Sequence, residues 1–169
     1  VLKDTGNLED YPVSLLNNEI SKMHRNTCFD EAAIEDFFWI KYGRQQTFLA
    51  LSLFYDENKW GTISFQQDHI FPKAFFTQKN MDNAGISSDK QKDYLEWMNC
   101  IGNLQLLLPK ENQEKLAQPF DTWIHTRDES FKKRHLIPFD ESLYKFDKFD
   151  DFVIEREAII RNRLKNLFT

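Results

Sequence analysis

Thr62-Ile63-Ser64-Phe65-Gln66-Gln67-Asp68-His69-Ile70-Phe71-Pro72 is the stretch that decides how this chain is read. Apolar and polar residues alternate from Thr62 to Gln66, the period of a half-buried strand. That strand is expected to end at Asp68-His69, because Pro72 close behind cannot donate to a sheet ladder. A second apolar run, Asn99 to Leu108, reads as another strand, closed by Pro109. Lys110 to Ala117 then reads as a short helix with Asn112 in its first turn. The order is strand, insertion, strand, helix, with Asp68, His69, Asn103 and Asn112 as its polar landmarks.

The flanking sequence is predicted to be helical. Asp30 is placed to cap a helix through Ala32, Ile34, Phe37 and Ile40, with Gly43 interrupting it. Gln45 to Tyr55 is apolar nearly all round and predicts a central core helix. Asp56 to Gly61 reads as a turn, and Pro72 to Ser87 as irregular. Ser88 with Gln91 has the spacing of a capping box, opening a helix that carries Tyr94, Leu95 and Met98 on one face. The chain closes with a helix from Asp151 to Phe168, its buried stripe formed by Val153, Ile160, Leu164 and Leu167. Residues 1 to 28 read as a loosely packed lead-in, bent at Tyr11-Pro12. The expected fold is α+β, a mostly helical scaffold carrying a strand-strand-helix core. Its boundaries are 1–61 for the amino-terminal helical scaffold, 62–117 for the core with its inserted helix, and 118–169 for the carboxy-terminal helical segment, all in one structural domain.

Composition limits what such a domain can do. With 5 Gly and 5 Pro against 16 Phe, the chain fits a filled aromatic core, not a disordered tail. The net charge of −5 argues against a surface that is basic throughout, as a whole-surface nucleic-acid footprint would be. A local basic strip remains compatible with it. The longest apolar run, Phe48 to Phe54, is too short to span a bilayer, so no membrane association is expected. Cys28 and Cys100 form no CxxC pair, which argues against a zinc knuckle and a secreted disulfide scaffold and favours a reducing cytoplasmic setting. The first residue is Val1, and a fragment of a longer protein is expected.

The four landmarks fit one chemistry. Breaking a phosphodiester needs an activated water, neutralisation of charge at phosphorus and stabilisation of the leaving oxygen. His69 has the pKa range for the first task. A hard cation such as Mg²⁺ serves the others through one or two protein oxygens, which Asp68 and Asn112 offer. Asn103, beside Gly102, is placed to hold the His69 segment by bonding backbone or imidazole.

These residues, Asp-His-Ile-Phe-Pro at 68–72, Gly-Asn-Leu-x-Leu-Leu at 102–107 and Asn112, resemble the HNH (ββα-metal) nuclease domain in the carboxy-terminal half of GmrSD-type and SspE-type restriction proteins. Arg44 to Tyr55 and the helix from Glu155 to Leu164 are also similar to segments of that family. The likeness covers most of the chain from about residue 30. It implies a ββα-metal motif within 62–117 and a DNA endonuclease or nickase active against phage or modified double-stranded DNA. It implies His69 as general base, Asp68 and Asn112 as ligands of Mg²⁺ or Mn²⁺, and Asn103 as the positioning residue. It also implies an amino-terminal ParB-like nucleotide-handling domain in the same bacterial, cytoplasmic protein. The rival expectation is a catalytically silent module of HNH shape that docks DNA or protein; an RNA-directed nuclease is a third.

Other residues are read plainly. His24, His125 and His135 are expected at the surface or in caps. Lys132-Lys133-Arg134 is expected to be a solvated face, with phosphate contact as the alternative. Arg156, Arg161 and Arg163 are expected to be salt-bridged helix surface beside Glu155 and Glu157.

Overall fold

The computed structural model describes residue 22 and residues 30–55 and 64–168. The expectations for residues 1–28, His24, Cys28, the 56–61 turn and the Thr62-Ile63 start of the first strand lie outside the described residues. The chain divides into two compact units, 1–35 and 36–169, and the second holds every candidate residue. Among the described residues, no helix is long and apolar enough to cross a membrane.

The architecture is mostly helical α+β, as expected. Helix α1 (Glu31–Phe38) starts where Asp30 Oδ1 accepts the Ala33 amide at 2.9 Å. Gly43 takes φ +84°, a conformation that a Cβ would strain, and α2 (Gln45–Ser52) follows. Helix α2 is half surface and half core: Leu51 is fully buried but Leu49 is 58% exposed, which corrects the reading of it as buried all round.

Strand β1 (Gln66–His69) pairs antiparallel with β2 (Leu104–Leu107), in the register Gln66↔Leu107 to His69↔Leu104. Both strands are shorter than the sequence pattern implied. Ser64 and Phe65 are irregular, and Ile101–Asn103 is a 3₁₀ turn where strand was expected. The cause is tertiary. The last helix, α8 (Phe149–Phe168), packs on this turn, and a Cβ on Gly102 would lie 2.7 Å from Val153 Cγ1.

The insertion between the strands is ordered, which corrects the irregular reading of Pro72 to Ser87. It holds a 3₁₀ turn (Lys73–Phe75), α3 (Gln78–Asn83) and α4 (Ser88–Trp97). Thr77 Oγ1 caps α3, and Phe76, Met81 and Ile86 bury their side chains. The expected capping box is absent. Ser87 is the N-cap residue and makes no side-chain bond, while the buried Gln91 amide donates to Asp82 Oδ1 at 2.9 Å and Ile86 O at 2.8 Å. Leu95, expected inside, is 45% exposed.

After β2, Pro109 opens α5 (Pro109–Lys115), and Glu111 Oε2 accepts the Leu108 amide at 2.8 Å. Two short helices follow, α6 (Phe120–Ile124) and α7 (Glu129–Arg134), then 3₁₀ turns and α8. Val153, Ile160 and Leu164 of α8 are buried as predicted, but Leu167 is exposed.

The aromatic residues build the core. Phe71, two residues past His69, packs tilted on Phe120 at 4.8 Å between centroids and edge-on against Phe152 at 5.0 Å and Phe149 at 5.4 Å. Burying such a ring contributes about 1.5–3 kcal/mol, so the end of β1 is anchored directly in the core.

Candidate active site

The site is built at the β1 end of the hairpin. Side chains alternate along a strand, so Gln66 and Asp68 share one face and Gln67 and His69 the other. Helix α5 covers the first face. Its Asn112 Nδ2 donates to Gln66 Oε1, and Lys115, three residues on and on the same helical face, reaches Asp68 Oδ2 at 3.1 Å. Asp68 and Asn112 thus lie on one side of the hairpin, each tied to a different partner; the second Asp68 bond comes from Gln105 Nε2 at 2.9 Å.

Lys115 is the residue that sequence reading missed most clearly. Its side chain is fully buried and also donates to the His69 carbonyl at 2.6 Å. Burial pushes the ammonium pKa down, and the Asp68 carboxylate opposes that shift. The three-residue spacing from Asn112 was the only hint in the sequence.

On the other face, His69 is buried and its Nε2 lies 2.9 Å from Asn99 Oδ1. An amide oxygen only accepts, so Nε2 carries the hydrogen and Nδ1 keeps its lone pair. Tyr42 lies against the imidazole at 4.3 Å between centroids, and its amide donates to Asn99 O at 2.8 Å. Burial lowers the His69 pKa below its ordinary value. The Asn99 bond and the Asp68 charge oppose that shift, and Lys115 and Lys73 add to it. The ring is therefore neutral at neutral pH and able to take a proton. Nothing in the sequence singled out Asn99.

Asn103 is fully buried and bonds backbone only. Its Oδ1 accepts the Phe71 amide at 2.8 Å, its Nδ2 donates to Phe71 O at 3.2 Å and Met98 O at 2.8 Å, and its own carbonyl accepts the Ile70 amide at 2.8 Å. The two tasks imagined for one asparagine are thus divided: Asn103 fixes the chain leaving His69, and Asn99 holds the ring.

Arg156 corrects the surface reading of the last helix. It is fully buried, with Nη1 donating to Ile101 O and Gly102 O and Nη2 to Leu104 O, each at 2.9 Å, and Nη2 also to His135 O at 3.1 Å. The guanidinium gathers the carbonyls on both sides of Asn103. Burial lowers its pKa to about 10, still charged at neutral pH. His135 is also buried, not at the surface: its Nδ1 lies 2.9 Å from the Tyr55 hydroxyl, which accepts the Leu106 amide at 2.9 Å. His125 is exposed, as expected. Lys132 is drawn inward to Glu141 at 2.9 Å, while Lys133 remains exposed.

Among the described residues, no three His, Cys, Asp or Glu side chains group closely enough to hold an ion. An ion at this site would rest on the Asp68 carboxylate and the Asn112 amide oxygen. Those are hard oxygen donors in the number Mg²⁺ or Mn²⁺ takes from protein, and Asn112 spends only its Nδ2 on Gln66. The chemistry of the donor set fits such an ion, with Asp68 offering Oδ1 because its Oδ2 is engaged by Lys115 and Gln105.

A helical α+β domain that collects an acid, a buried neutral imidazole and three carboxamides around one short hairpin is, by family comparison, of restriction-endonuclease type. The chain belongs to the C-terminal domain family of the GmrSD restriction endonucleases, whose pattern matches residues 29–167. No curated protein matches the chain.

Proposed function

We propose that this domain is a metal-dependent HNH endonuclease that nicks or cleaves double-stranded DNA, serving as the effector of a restriction protein that acts on phage or modified DNA. The observation that carries this reading is His69: a buried, neutral imidazole with its proton fixed on Nε2 by Asn99, next in sequence to Asp68. In this reading Nδ1 of His69 takes a proton from the attacking water. Asn99 then holds an imidazolium, and its bond strengthens as charge develops. Asn103 keeps the ring in place by fixing Phe71, which the aromatic core anchors. Asp68 and Asn112 would hold Mg²⁺ or Mn²⁺, which when bound would supply charge neutralisation at the phosphate and at the leaving 3′-oxygen. The products carry 5′-phosphate and 3′-hydroxyl ends. Recognition of the modification and nucleotide-driven control belong to a ParB-like domain elsewhere in the same protein.

One observation favours the docking reading: Asp68 is already neutralised by Lys115 and hydrogen-bonded by Gln105. The test is supercoiled-plasmid cleavage in Mg²⁺ or Mn²⁺ by the chain and its His69→Ala and Asn112→Ala forms. Nicked or linear product, lost in both variants and in EDTA, is expected. Metal-dependent cleavage that survives His69→Ala overturns the mechanism. Calorimetric Mn²⁺ binding that is unchanged in Asp68→Asn overturns the assigned ligand and favours docking. Matched DNA and RNA digests separate the RNA-directed reading.

A further inference from the structure

Two cavities lie side by side near the hairpin. One, about 430 Å³, is lined by Tyr42, Gln66, Gln67 and Asn112 and opens beside the candidate site. The other, about 380 Å³, is lined by Tyr55, Lys133, Arg134 and Arg163. Phe65 belongs to both walls, so the two adjoin. The second cavity is lined by the cationic ends of Lys133, Arg134 and Arg163, two of which also pair with carboxylates outside the lining. Three cations line it, and among the described residues of its lining there is no carboxylate, in a protein of net charge −5. Its cations are coupled to the site as well. Arg134 Nη1 lies 3.4 Å from Glu111, the neighbour of Asn112, and its guanidinium sits 5.8 Å over the Tyr55 ring. Lys133 pairs with Glu129 at 3.6 Å, but both side chains are more than two-thirds exposed, so that pair is weak and a phosphate can replace it.

Cations beside aromatic rings, in a volume suited to one small ligand, are the chemistry of a nucleotide held by its phosphate with the base against a ring. We propose that this cavity holds a backbone phosphate and its base from the DNA strand that runs past Phe65 to Asn112. The proposal rests on the nuclease reading of the adjoining site, and it accounts for how an acidic domain keeps hold of its substrate: the positive potential is concentrated where the strand enters. The Lys132-Lys133-Arg134 run then has a divided role, since Lys132 turns inward to Glu141 and its two neighbours face the strand.

The test is DNA binding in EDTA, followed by anisotropy of a labelled duplex across a salt series, so that no cleavage is required. The variants are Lys133→Gln/Arg163→Gln, Lys133→Gln alone, and Lys92→Gln as a control that removes one charge on α4, outside the lining. Each lost phosphate contact reduces the slope of log K against log salt by about 0.9. The double variant should bind at least tenfold more weakly with a slope reduced by about one, and Lys92→Gln should match the parent chain. If circular dichroism shows the double variant unfolded, the exposed Lys133→Gln form carries the test with weaker binding and a smaller slope than the parent. Equal affinity and slope in the lining variants, an equal loss in Lys92→Gln, or no salt-dependent DNA binding by the parent overturns the proposal. So does calorimetric binding of free dAMP without DNA binding, which would assign the cavity to a small ligand. Cavity-dependent binding by a chain that cuts nothing in Mg²⁺ or Mn²⁺ would overturn the nuclease reading and leave the cavity as a DNA site.

Discussion

Replacing Arg156 with Met should unlock the turn that carries Asn103. Methionine fills a comparable volume but donates nothing, so the carbonyls of Ile101, Gly102, Leu104 and His135 lose a donor together. Ile101 O keeps a second donor in the Leu104 amide, which leaves three carbonyls exposed to the loss. A buried polar group left unsatisfied costs about 1–3 kcal/mol, so the gross penalty is about 3–9 kcal/mol. Part of it is offset because the variant no longer holds a charge away from water. The net expectation is about 3–5 kcal/mol, the lower half of that gross range. For a chain of this size that lowers Tm by roughly 6–20 °C. Urea unfolding followed by circular dichroism, with m unchanged, measures it. Arg156→Lys should recover less than half, because one ammonium cannot reach both ends of the fork. A loss below about 1 kcal/mol in Arg156→Met would refute the claim that this guanidinium holds the turn.

Three further outcomes are expected. Asn99→Ala should slow single-turnover cleavage roughly ten- to hundredfold, the value of about 1.5–3 kcal/mol for a bond to a charged group; ¹⁵N NMR of the His69 ring should show the Nε2–H tautomer fading, and an unchanged ring spectrum would count against the assignment. Gly102→Ala should cost about 1–3 kcal/mol by overpacking, since its Cβ would meet Val153 Cγ1 at 2.7 Å and Glu157 Oε1 at 2.9 Å; an unshifted melting curve would contradict that packing. Stability should fall in acid through His135, whose pKa is held well below its ordinary value by burial first and then by Arg134 and Arg156. The unfolded chain takes a proton below about pH 6.5 that the folded chain refuses, so this contribution is intact above that pH and drains away beneath it. Between pH 7.5 and 5.5 the parent should lose about 1.4 kcal/mol more than His135→Gln, and equal losses in the two would show that His135 does not drive the effect.

Much of the scaffold was legible because local rules and burial agreed. Asp30 caps α1, Pro109 opens α5 with Asn112 in its first turn, and Val153, Ile160 and Leu164 face inward on α8 at helical spacing. The motif Asp68-His69 with Gly102-Asn103 and Asn112 carried the family resemblance, which the match over residues 29–167 bears out. The errors arose where a residue answers to a distant partner. Gln91 looked like a cap but bonds Asp82 and Ile86, and the run after Asn99 looked like strand but turns beneath α8.

The sequence alone determined the period of each long helix, the aromatic makeup of the core and the identity of the polar landmarks, because spacing and side-chain chemistry are properties of the chain itself. Only the tertiary structure decided that Lys115 neutralises Asp68, that Asn99 and not Asn103 holds the His69 ring, and that Arg156 and His135 are buried. Each of these depends on groups 21 to 80 residues apart meeting in a space closed to water. No local pattern marks such a meeting. A buried cation reads in sequence like a surface one until the carbonyls that replace its water are brought around it.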